Sequence, residues 1–309
     1  MVEITKSNTL SLEASEPIIT SAPQPKLSEK FRHMYCKIAA GVLLAISANV
    51  ARSEDLLEAV SETPPRRFLI GGGGHLPEAV HRKFVKMAGG KQGKVLVCPS
   101  ASKDAKHDKN IDSYWKWQHE VGKAKIIHAD EAEEADKDEF VEDLNDATAV
   151  WLNGGDQGDL VDLYRNTKFH KALQKFSERG GLIGGSSAGA SAMSKLMIRK
   201  GLFEAELDEG FGFVPWAVID QHHLREGRAE RLLGVSKKHP QQLCFGIKDR
   251  TALILNWTAH KVIATVIGDE DVRILRDQQE LKVLKDGDTI DLADLQMVIP
   301  PLSTRVPNQ

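Results

Sequence analysis

From Phe68 onward, short apolar runs alternate with amphipathic stretches of helical length, and most of the runs end on glycine. FLIGGGG (68–74) predicts a strand entering a glycine turn, and PEAVHRKFVKMAGG (77–90) a helix stopped by Gly89-Gly90. KVLVCPSAS (94–102), KIIHAD (125–130), AVWLNGG (149–155) and GLIGG (181–185) predict further strands. The helices expected between and after them cover 111–122, a segment reaching about Arg165, KALQKFSERGG (171–181) and AGASAMSKLMIRKG (188–201). The acidic stretch EAEEADKDEFVEDL reads as a solvated helical face. Strands alternating with helices imply parallel βαβ units, hence an α/β domain with a mostly parallel central sheet and helices on both faces. Beyond about residue 245, TALILNW, KVIATVIG, VRIL and ELKVL are short β runs separated by tight turns. They predict an antiparallel C-terminal β extension of the same sheet.

A Pro-Pro-Arg-Arg boundary at 64–67 sets this domain, expected over 66–305, apart from a different N-terminal texture. Residues 1–33 are polar, rich in Ser, Glu, Lys and Pro, and lack apolar periodicity, which predicts disorder. The segment 34–53 places Lys37 before an apolar stretch, Ile38 to Val50, with small residues Ala48, Ala51 and Ser53 at its end. That is the pattern of a signal peptide, and it is short for a bilayer span. A start at Met34 makes residues 1–33 a mis-assigned extension and predicts export to the periplasm or beyond; a buried helix is the competing reading, with a cytoplasmic protein. Composition adds little: 41% hydrophobic and 28% charged residues describe an ordinary core-forming chain, and a net charge of −3 offers no case for binding nucleic acid. Three cysteines, without a CxxC pair, are too few for a disulfide scaffold or a structural zinc site. Cys98 and Cys244 sit in apolar runs and read as buried; a single bridge between them stays open.

In open parallel sheets the chemistry gathers where strands end in loops. The small-residue strand ends at 71–74, 99–102, 154–155 and 184–185 are expected to converge there. Gly185-Ser186-Ser187-Ala188-Gly189 fits GxSxG, in which a serine sits on a strained turn between strand and helix. The flanking glycines let that turn approach its neighbours, and the start of the next helix favours developing negative charge. Ser187 is then the nucleophile and the Ala188 N–H an oxyanion donor. WLNGGDQ offers two readings: Asp156 as a helix cap, or Gly155 as a second oxyanion donor with Gln157 on the substrate. VIDQHHLREGRAERLL sets Asp220, Gln221 and two histidines ahead of Arg225, Arg228 and Arg231, spaced along one helix face where they could grip carboxylates. A serine needs a base, usually histidine, and adjacent histidines without a third ligand do not suggest a metal. Asp249, ahead of a strand in FGIKDRTALIL, could orient that histidine. GGGG at 71–74 lacks the remainder of a nucleotide motif; it could form an anion-accepting nest.

Together, GGDQ (154–157), GGSSAGA (184–190), DQHH with its arginines (220–231) and GIKDRTA (246–252) resemble the cyanophycinase family of serine peptidases. The match keeps its order and spans about residues 66–275. That family is related to aspartyl dipeptidases and has a class I glutamine amidotransferase-like fold. The resemblance implies Ser187 as nucleophile, His222 as general base and Asp249 as acid, with an oxyanion hole from Gly155 and Ala188. It also implies substrate contacts at Gln157, Asp220, Gln221, Arg228 and Arg231, no metal or organic cofactor, and a homodimer. The implied substrate is cyanophycin, a poly-aspartate carrying arginine on each side-chain carboxyl, cut to β-Asp-Arg dipeptides by an exopeptidase. The chain departs from the family in having DQHH for DQHF, Glu226 where an arginine stands, and Lys248-Asp249 for an Asp-Glu pair. These changes keep an aspartyl dipeptidase, or a non-catalytic binding protein on the same fold, as alternatives. An α/β-hydrolase esterase using His260 as base fits less well, because there the acid precedes the histidine.

Overall fold

The apolar runs become strands buried on both sides. The structure, a computed structural model, describes residues 63–102, 121–296 and 302. The signal-like segment 34–53, the polar stretch before it and most of the helix expected at 111–122 lie outside the described residues. Strands β1 (Arg66–Gly71), β2 (Lys94–Cys98), β3 (Lys123–Ile126), β4 (Ala149–Leu152) and β5 (Leu182–Ser186) pair in parallel in the order β1-β5-β4-β2-β3. Helix α1 (Glu78–Met87) follows β1, and the acidic stretch forms three single turns, α2 (Ala132–Ala135), α3 (Asp138–Val141) and α4 (Asp143–Asp146). Helices α5 (Gln157–Tyr164) and α6 (Lys168–Glu178) link β4 to β5.

Alternate side chains of one strand serve two cores. Phe68 and Ile70 of β1 join Leu160, Val161 and Leu173 of α5 and α6, while Leu69 joins Val80, Phe84 and Val85 of α1. With helices on both faces, the strands read as continuous apolar runs instead of alternating ones. Phe84 meets Trp151 of β4 edge-on at 4.9 Å between ring centroids.

One expectation is corrected beyond β5, and another is met in part of its strands. The helix expected over 188–201 ends after one turn, α7 (Ala188–Ser191), and the chain then forms β6 (Leu196–Lys200) against β7 (Glu206–Glu209). The alanines and glycine here are small because α7 packs tightly, with Ala188, Ala190 and Ala192 fully buried. Packing, not helix propensity, selects them. The antiparallel C-terminal extension forms as expected from the first two of its runs, while the other two join a second sheet. After β8 (Ala217–Gln221), α8 (Arg228–Lys238) and β9 (Leu243–Ile247), strand β10 (Thr251–Trp257) lies antiparallel to β1, with β11 (Val262–Gly268) outside it. The next strands, β12 (Val272–Arg276) and β13 (Gln279–Leu284), instead join β9 and β8 in a separate four-stranded sheet ordered β13-β12-β9-β8. The turn after β11 folds over the start of β10, where the Asp269 N–H donates to Arg250 O and the Glu270 N–H to Thr251 Oγ1. This delivers Val272 beside Ile247 of β9. β14 (Thr289–Asp291) then returns to the main sheet beside β11, completing eight strands. Cys98 and Cys244 therefore sit in different sheets, both free and buried, and no bridge joins them.

Candidate active site

Sheet order brings the small-residue strand ends together. Asp156 N donates to Ala101 O at 2.7 Å, tying the turn after β4 to the turn after β2. Between β5 and α7, Ser187 holds φ 53° and ψ −114°, a conformation that costs on the order of 1–3 kcal/mol outside glycine. The surroundings over-determine it: its N–H donates to Gly71 O at 3.0 Å and its carbonyl accepts from the Ala190 and Ser191 N–H groups. The glycines either side are required by close packing, since a Cβ on Gly185 would lie 2.8 Å from the Gly189 carbonyl.

Ser187 Oγ lies 2.9 Å from His222 Nε2. On the other edge of the ring, His222 Nδ1 meets Asp249 Oδ1 in a short hydrogen bond. With Nδ1–H facing the carboxylate, Nε2 is free to accept the serine proton. His222 follows β8 directly, with φ 51° and its N–H on Gly72 O at 2.7 Å; Asp249 lies between β9 and β10. The GGGG segment is the wall of this pair. Gly73, at φ 106°, lies flat against the imidazole where any Cβ would strike the ring, and a Cβ on Gly74 would sit 3.2 Å from Asp249 Cγ. Burial pushes the His222 imidazole below its ordinary value; this outweighs Asp249, whose hydrogen bond and charge pull it up, while Arg225 and Arg228 add to the lowering. The second histidine goes elsewhere. His223 is 2% exposed, stacks on Gly246 and donates its backbone N–H to Ile247 O.

The remaining predicted residues divide. Gly154 borders the serine, since a Cβ there would lie 3.8 Å from Ser187 Oγ. Gly155 follows at φ 146°, and among the described residues no hydrogen bond engages its N–H. The Ala188 N–H opens α7 and precedes the first intrahelical bond. Asp156 caps α5 by accepting from the Gly158 and Asp159 N–H groups. Gln157, expected on the substrate, spends its amide on the Ile198 and Arg199 carbonyls of β6, at 3.2 and 2.5 Å. Asp220 and Arg231 likewise find their partners within the protein. They form a buried two-point ion pair, 0% and 4% exposed, with Arg231 Nε 3.2 Å from Asp220 Oδ2. Gln221 is buried beside them and accepts from Arg228 Nη1 at 2.7 Å. Arg228, half-buried like Gln157, also donates from Nη1 to Gln221 O at 2.7 Å. His260 lies in the turn beyond the far end of β10, a seven-residue strand that spans roughly 23 Å at about 3.3 Å per residue, so it cannot serve this serine. Arg225, read in the sequence as a grip for carboxylates, meets one within the site itself: its Nη2 stands 3.2 Å from Asp249 Oδ2. Its signal was present but displaced: an arginine one position ahead of the expected one.

A serine on a strained turn above a parallel sheet, with a histidine and a carboxylate supplied by later loops, is the arrangement found in serine-type peptidases of α/β architecture. Residues 68–263 match the profile of Peptidase family S51, and the chain belongs to that family. A cyanophycinase from Synechococcus elongatus is 26% identical over 255 residues, covering 71% of this chain and 77% of its own. One from Geminocystis herdmanii is 28% identical over 185 residues, covering 56% of this chain and 66% of its own. The crystal structure of a peptidase from an acI-B1 actinobacterium superposes with a TM-score of 0.58 at 24% identity, over 74% of this chain and 97% of that one. That likeness speaks for the fold.

Proposed function

We propose that this peptidase hydrolyses cyanophycin to β-Asp-Arg dipeptides, acting as an exopeptidase through Ser187, His222 and Asp249. The observation that carries the reading is the hydrogen-bonded line from Ser187 Oγ through His222 to Asp249, built on a strained turn. Cyanophycinases among the relatives support the substrate. As the serine oxygen attacks the scissile carbonyl, His222 Nε2 takes its proton and Asp249 holds the ring by Nδ1–H. The N–H groups of Gly155 and Ala188 receive the oxyanion. His222 then returns the proton to the leaving amine, and water that it deprotonates in turn releases the acyl group from Ser187. Each step uses only side chains, backbone and water.

Arg228 is the substrate contact this reading retains, suited to a carboxylate of the aspartate backbone. The test is to incubate the purified protein with cyanophycin, and separately with Asp-X dipeptides, and identify products by mass. Release of β-Asp-Arg from the polymer is expected. Turnover of dipeptides with the polymer left intact would replace this substrate by that of an aspartyl dipeptidase.

A further inference from the structure

We propose that Arg225 is a positioning residue of the peptidase: it clamps the second oxygen of Asp249, so that the first stays on His222. The inference rests on the catalytic reading of Ser187, His222 and Asp249 given above.

Aspartate is the shorter acid, and here it is partly open, with 35% of its side chain exposed. Oδ1 is engaged by His222 Nδ1, while Oδ2 accepts from Arg225 Nη2 at 3.2 Å and Nε at 3.4 Å. The other walls cannot hold the carboxylate. Gly73 and Gly74 have no side chains, and the flanking cations are engaged elsewhere. Lys248 Nζ lies 2.5 Å from Asp271 Oδ2 and 3.3 Å from Glu270 Oε2, and Arg250 Nε donates to Asp269 at 2.7 Å. Among the described residues, Arg225 is the cation whose hydrogen bonds reach Asp249. A lone bond to the histidine would leave the carboxylate free to rotate and to exchange Oδ1 for water.

The clamp and the base also share one turn. The Arg225 N–H donates to His222 O at 2.9 Å, so the loop that aims the imidazole delivers the guanidinium with it. The two cations facing His222, Arg225 and Arg228, both disfavour the imidazolium, and Asp249 favours it. Arg225 therefore has a second effect: it tempers the pull of Asp249 on the ring proton. Removing it frees the carboxylate to rotate and lets the imidazole hold its proton to higher pH.

The rate of Ser187 sulfonylation by phenylmethanesulfonyl fluoride, followed by intact mass across pH, reads base activation without reference to the natural substrate. Arg225→Ala is expected to slow the reaction roughly two- to fivefold near neutrality, the range of an exposed ion pair, with the acidic limb displaced to higher pH. The deficit should shrink at alkaline pH. Arg225→Lys should restore the position of the limb, and in an Asp249→Asn background Arg225→Ala should lose its positioning cost and leave only the displacement of the limb. An unchanged rate and profile, or a lysine variant no better than alanine, would overturn the clamp. Ser187→Ala separates the two claims. Sulfonylation persisting in that variant would remove the catalytic reading itself, whereas its abolition with an unchanged Arg225→Ala profile removes only the clamp.

Discussion

At the scale of single residues, the site turns on one imidazole held between a hydroxyl and a carboxylate. Burial lowers the pKa of His222, and the proposed base must be neutral to accept the serine proton. A lowered value keeps the ring neutral further into acid. The acidic limb of kcat/KM should therefore have its midpoint below about 6.5, the ordinary histidine value. A midpoint above it would mean that Asp249 outweighs burial. The contrast with His223 is instructive, because the neighbouring histidine is the same residue type with the opposite fate. His222 takes a positive φ and turns toward the loop cluster; His223 resumes the strand's inward direction and packs on Gly246. The motif order of serine, histidine and acid made Ser187, His222 and Asp249 legible in the chain. What each other polar side chain would meet was not, because residue type does not state its partner.

At the scale of elements, β8 and α8 carry the clearest revision. Asp220 lies near the end of β8 and Arg231 on α8, and together they lock that helix to the second sheet from inside. Breaking a buried pair from one side leaves an uncompensated charge, at a cost of about 3–5 kcal/mol. Arg231→Ala should therefore lower the denaturation midpoint sharply while leaving KM of the folded fraction near that of the wild type. A large rise in KM at unchanged stability would return Arg231 to the substrate. The parallel strands were readable because helices cover both faces, so burial wrote itself as unbroken apolar runs. The β6-β7 hairpin was not, since alanines chosen for tight packing beside Ser187 look the same as alanines chosen for helix propensity. Nor was the second sheet, because a strand's periodicity says that it pairs, not with which neighbour.

At the scale of the whole molecule, two sheets meet around one site. The main sheet supplies Ser187 and the glycine wall, and the second supplies His222 from β8 and Asp249 from the end of β9. The cysteines report on that division. Cys98 lies in the first sheet and Cys244 in the second, and burial raises both thiols, Cys244 to about 12. Neither should react with iodoacetamide before the protein unfolds, and peptide mapping without reduction should find both as free thiols. A cross-linked peptide joining them would contradict the two-sheet arrangement. The central claim concerns the serine at the junction. Cyanophycin hydrolysis by the wild type and by Ser187→Ala, both confirmed as folded, tests it most directly. The account predicts that the variant loses about 10⁴-fold or more of the activity; equal rates for the two proteins would contradict it.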